Sequence, residues 1–201
     1  GKGWVLGETL ITGIGQGYTQ TTPIQLCLMT AQIANGGYKI QPKILTDDNE
    51  LTSEQFKKAM LDSKINNSYE PLYDDQKNIR IVQEAMFSST NEIMGTSYKS
   101  RIDDPKYQFA GKTGTAQVKR ISKRERELDL KTFQIPYEER DHALYVAYGP
   151  YSNPRYAVSI IVEHGGSGSS AAAPMATQLF KLIIDRHQYR KKLPDYKEFS
   201  I

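Results

Sequence analysis

Two runs fix much of what this chain can become. His142-Ala143-Leu144-Tyr145-Val146-Ala147-Tyr148 and Tyr156-Ala157-Val158-Ser159-Ile160-Ile161-Val162 are rich in β-branched and aromatic residues. Both read as strands. Gly149-Pro150-Tyr151-Ser152-Asn153-Pro154-Arg155 lies between them and has turn chemistry throughout. A third run, Phe109 to Val118, precedes them. The three spans, 109–118, 142–148 and 156–162, predict an antiparallel meander.

The third run is unusual inside. Gly111 and Gly114 interrupt it, and a glycine within a strand often marks a close approach to the backbone. Lys112, Thr113 and Thr115 surround that bare backbone. Together they offer one positive charge, two hydroxyls and backbone N–H groups to an anion or a carbonyl. The plainer alternative is a glycine-containing edge strand with a solvated lysine.

Helices are signalled before and after the meander, which makes the class α+β. Thr22 as N-cap, Pro23 at the first helical position and Gln25 three after the cap predict a helix start. Its apolar residues are Ile24, Leu26, Cys27, Leu28, Ala31, Ile33 and Ala34, and Asn35-Gly36-Gly37 closes it. Asp74-Asp75 predict a second helix through Phe87, with Ile79, Val82, Ala85 and Met86 on one face. A long final helix, from Ala171 to about Tyr189, has Met175, Leu179, Leu182 and Ile183 as its expected stripe. Residues 4–12 read as extended and Tyr38–Leu45 as an edge strand. A short helix is expected over Ser53–Leu61, a loop over Ser88–Asp104, and a flexible loop over 165–170. Residues 1–190 form one domain in this reading, and 191–201 a charged tail.

Composition excludes several classes. With 201 residues, 24% charged and 38% hydrophobic, the chain can bury a proper core. A net charge of +3 is too small to indicate nucleic acid, and the charged segment from Lys119 to Arg140 mixes both signs without interleaved aromatics. Cys27 is the single cysteine, which rules out an internal disulfide and a multi-cysteine metal site. His142, His164 and His187 share no metal-ligand spacing. No metal or cofactor is therefore expected. Gly13-Ile14-Gly15-Gln16-Gly17 has the wrong spacing for a dinucleotide loop and reads as a turn. No apolar run is long enough to span a bilayer. The chain opens Gly1-Lys2-Gly3-Trp4, without an initiator methionine, and is read as a piece of a longer protein.

Lys112-Thr113-Gly114-Thr115 resembles the Lys-Thr/Ser-Gly element of the penicillin-recognising serine enzymes, which combine it with Ser-x-x-Lys and Ser-x-Asn. Gly13-Ile14-Gly15-Gln16-Gly17-Tyr18 followed by Thr22-Pro23-Ile24-Gln25 is similar to class B penicillin-binding proteins, as is the meander with its Asn153-Pro154-Arg155 turn. Glu163-His164-Gly165-Gly166-Ser167-Gly168 looks like the elongation-type subgroup, penicillin-binding protein 2. The likeness is good over 11–45 and 109–185 and thin over 46–100.

The resemblance implies a partial penicillin-binding-protein/β-lactamase-like fold, helices packed on the sheet, and peptidoglycan D,D-transpeptidase chemistry in the parent. It implies an upstream membrane anchor and a location on the periplasmic face of the bacterial inner membrane. Stem peptides ending in D-Ala-D-Ala, β-lactams and the wall-elongation machinery are the implied partners. Lys112 would supply charge beside the nucleophile. Thr113 and Thr115 would bind the substrate carboxylate, Gly114 would admit its backbone, and the Thr115 N–H would be half of an oxyanion hole. There is one departure. No Ser-x-x-Lys occurs in the 201 residues, and Ser89-Thr90-Asn91 stands in the wrong order to be the second element. The chain is thus expected to recognise but not to acylate. The alternative is a non-catalytic β-lactam- or peptidoglycan-binding module of the same fold. Strand 156–162, missing its family neighbour, is expected to expose an apolar edge that invites dimers.

Overall fold

The computed structural model describes residues 3–42, 71–72, 74–119 and 130–192. Its elements are α1 (Leu6–Gly13), α2 (Pro23–Ala34), α3 (Gln76–Asn91), β1 (Ala110–Ala116), β2 (His142–Gly149), β3 (Tyr156–Val162) and α4 (Ala173–Arg190). The strands form one antiparallel sheet in the order β1-β2-β3, as the meander predicts.

Helices cover both faces of that sheet. On one face Ala143, Tyr145 and Ala147 of β2 pack with Val158 and Ile160 of β3 against Ala173, Ala176, Phe180 and Ile184 of α4. Phe109 joins this core, its ring stacked on Phe180 at 4.8 Å between centroids. On the other face Tyr148, Val146 and Ala110 meet Met86 and Phe87 of α3 and Ile33 and Ala34 of α2. Strand alternation sends neighbouring residues to opposite cores, so a mostly apolar β2 is what a strand covered on both sides requires.

The expected caps form. Thr22 Oγ1 accepts from the Gln25 N–H, and the Thr22 N–H donates to Gln25 Oε1 at 2.8 Å. Gly36 and Gly37 follow α2 at φ of 93° and 89°. Asp75 caps α3 by accepting from the Lys77 N–H at 2.9 Å. Cys27 behaves as a small hydrophobe: its thiol donates to the Ala157 carbonyl, and burial pushes its pKa up.

Several expectations are corrected. Residues 4–12 are not extended: Leu6–Gly13 is a helix, held at its start by Glu8 accepting from the Val5 N–H. Tyr38 makes one bridge to Pro71 where a strand was expected over Tyr38–Leu45, and residues 43–45 lie outside the described residues. The helix expected over Ser53–Leu61 lies outside them too. On α3 the buried stripe is Ile79, Met86 and Thr90, while Val82 and Ala85 face out. On α4 it is Ala173, Ala176, Phe180 and Ile184, whereas Leu182 is 67% exposed and Met175 46%. The true stripes keep the 3–4 spacing of a helix face but include small or polar members, which an apolar count passes over.

Candidate functional site

One edge of the sheet is β1. It pairs with β2 alone among the described residues, Lys112 opposite Val146, Thr113 opposite Tyr145 and Thr115 opposite Ala143. Alternation therefore divides the four candidate residues. Lys112 and Gly114 point to the α2–α3 side, Thr113 and Thr115 to the α4 side. They meet only at the outer edge of the strand. Lys112 is exposed, and its ammonium donates to the Thr113 carbonyl at 2.8 Å. Thr115 is exposed and Thr113 half-buried. A Cβ at Gly114 would come within 3.2 Å of the Leu144 Cβ, so the glycine also serves the packing of β1 on β2.

Beneath this edge is a support that the sequence did not announce. The Tyr145 side chain crosses under β1, so close to Gly111 that a Cβ there would collide with its hydroxyl. That hydroxyl lies 3.0 Å from Thr90 Oγ1 and 3.0 Å from Ser97 Oγ, and all three residues are buried. Burial raises the Tyr145 pKa, against the two hydroxyl contacts. Asn91 Nδ2 donates to the Phe109 carbonyl at 2.9 Å and to the Phe87 carbonyl at 3.0 Å. Ser88–Asp104 is thus not a simple loop: α3 runs on to Asn91, and a 3-10 turn follows at Tyr98–Ser100. Ser89-Thr90-Asn91 ends that helix and fastens it to Phe109, the residue before β1, and to Tyr145 of β2.

The segment 165–170 is not a free loop either. Gly168–Ala172 is a single π-helical turn with Gly168 and Ala172 buried, and the Gly166 N–H donates to the Asp141 carbonyl at 2.8 Å. His164 ahead of it has φ 55°, and its N–H donates to His142 Nδ1 at 3.0 Å. His187 packs edge-on to Tyr156. All three histidines make contacts within the fold.

Lys112-Thr113-Gly114 on the edge of a helix-covered antiparallel sheet matches one of the three elements of the penicillin-recognising enzymes. The family profile of the penicillin binding protein transpeptidase domain matches residues 1–181, and the chain belongs to that family. It is 31% identical over 198 residues to the peptidoglycan D,D-transpeptidase MrdA of Haemophilus influenzae, covering 98% of this chain and 28% of that protein. Among solved structures it is similar to penicillin-binding protein 2 of Helicobacter pylori in complex with MreC, with TM-score 0.66 and 27% identity over 95% of this chain and 29% of the other. It is also similar to Pseudomonas aeruginosa penicillin-binding protein 2 in complex with WCK 5153, with TM-score 0.60 and 31% identity over 99% and 37%. The chain spans less than a third of the curated relative's length.

Proposed function

We propose that this chain supplies the substrate-recognition edge of a peptidoglycan D,D-transpeptidase of the wall-elongation type. The observation that carries the reading is β1, which presents Lys112, Thr113 and Thr115 on an edge that no described strand covers. Membership of the transpeptidase family supports it, as does the likeness to penicillin-binding protein 2 structures.

The reaction is a two-step acyl transfer. A serine oxygen attacks the penultimate D-alanine carbonyl of a stem peptide, its proton leaves with D-alanine, and an ester remains. An amine of a second stem then attacks the ester, forms the amide and frees the serine. That serine and its lysine lie outside these 201 residues. Lys112 contributes positive charge to the shared site. The Thr113 and Thr115 hydroxyls hold the terminal carboxylate, or its counterpart on a β-lactam. The substrate backbone adds to the edge of β1 as an extra strand. The Thr115 N–H is one of two donors to the oxyanion, a donor of the kind whose loss costs about 3 kcal/mol of transition-state stabilisation. The longer protein works at the periplasmic face of the inner membrane, with elongation-machinery partners of the kind represented by MreC in the Helicobacter pylori complex.

The test is D-alanine release from a D-Ala-D-Ala stem peptide by the full-length gene product. Release that Lys112→Ala abolishes without lowering the melting temperature supports the assignment. Undiminished release in that variant overturns it.

A further inference from the structure

Three hydroxyls run in line toward the recognition edge. Ser89 Oγ lies 3.2 Å from Thr96 Oγ1, and Thr96 Oγ1 lies 3.3 Å from Thr113 Oγ1. Ser89 is on the last turn of α3, Thr96 on the segment after it, and Thr113 on β1. The segment folds back tightly enough to make both contacts because residue 95 is glycine. A Cβ there would strike the Ser88 and Ser89 carbonyls. The Ser97 N–H donates to the Ser89 carbonyl at 3.0 Å, and the Gly95 N–H to the Glu92 carbonyl at 2.8 Å, so Thr96 is held on both sides.

Each hydroxyl has one proton and two lone pairs. If the Thr113 proton goes to a ligand, Thr113 can take part in the Thr96 contact only by accepting. Thr96 then has spent its proton, and accepts from Ser89 in turn. A carboxylate, which is acceptor-only, sets all three in one direction, Ser89 to Thr96 to Thr113 to ligand. Aligned hydroxyls polarise one another, so the last proton becomes a better donor. An ester carbonyl accepts from Thr113 as well, but the bond to a charged carboxylate is the stronger, so the chain of contacts favours the carboxylate.

The geometry points to Thr96 as a positioning residue that sets specificity for a carboxylate-bearing ligand through Thr113. This rests on the transpeptidase reading. It adds a residue outside the Lys-Thr-Gly-Thr strand and states which ligand chemistry that residue favours.

The experiment uses the full-length gene product and measures the second-order rate of acylation by a penicillin and by the methyl ester of the same penicillin. Thr96→Val should slow reaction with the free carboxylate about fivefold, as expected for one lost hydrogen bond, and slow reaction with the ester clearly less. Thr96→Ser should restore the carboxylate rate. In a Thr113→Val background the Thr96→Val effect should vanish. Equal slowing on both ligands, or none on either, overturns the role of Thr96. A wild-type protein that reacts with neither ligand overturns the transpeptidase reading and the inference with it. Thr96 is exposed, so the variants should fold, and an unchanged melting temperature checks that they do.

Discussion

The hydroxyl of Tyr145 and Oγ1 of Thr90 stand 3.0 Å apart with β1 passing over them. A residue of the central strand thus reaches beneath the edge strand and is met by α3 on the far side. Tyr145→Phe should cost about 1 kcal/mol, because Thr90 and Ser97 keep their own carbonyl acceptors, Met86 and Ser89. Gly111→Ala should cost about 1–3 kcal/mol, since the added methyl meets the phenol of a packed core. Urea unfolding of both variants checks the order; a Gly111→Ala midpoint equal to wild type would contradict the crossing.

The same phenol predicts an alkaline limit. Its folded pKa lies above the ordinary value of 10.0, raised by burial. The unfolded chain therefore gives up this proton first as pH rises. The linked stability is complete below about pH 10 and is lost on the way up to the folded value. Burial also raises Tyr148, which acts in the same direction. Tyr145→Phe should reduce the decline of the urea midpoint above pH 10 without abolishing it. A decline as steep as wild type would refute the assignment.

The two faces of α4 should respond differently. Phe180 is fully buried and stacked on Phe109, so Phe180→Ala should cost about 3–5 kcal/mol. Leu182 is mostly exposed, and Leu182→Ala should stay within about 0.5 kcal/mol. Thermal melts of the pair decide between the observed stripe and one built on Leu182.

Strands and caps were legible because their signals are local. Thr22, Pro23 and Gln25 specify a helix start by themselves, and the composition of 142–148 and 156–162 specifies the meander. The stripes of α3 and α4 were harder to read. Thr90, Ala173 and Ala176 are buried by contact with distant partners, and nothing in their own chemistry marks them. The strand proposed for recognition stood out through its Lys-Thr-Gly-Thr string. Its supports, Tyr145, Ser97, Thr96 and Asn91, were not, since each acts across at least 17 residues of chain, as in the contact of Thr96 with Thr113.

β3 is the other edge of the sheet among the described residues, and Ile161 on it is 39% exposed. An apolar edge with unpaired backbone groups recruits another strand. The isolated chain should form dimers as concentration rises, and Ile161→Lys should weaken them. Size-exclusion chromatography with light scattering tests this, and a strict monomer at high concentration would contradict it.

In the proposed function this chain recognises the ligand with Lys112, Thr113 and Thr115, and no Ser-x-x-Lys occurs among its 201 residues. Incubation of the isolated chain with a fluorescent penicillin, followed by denaturing electrophoresis, tests it most directly. The predicted result is no covalent label on the chain, while the full-length gene product is labelled. A label on the isolated chain would contradict the account.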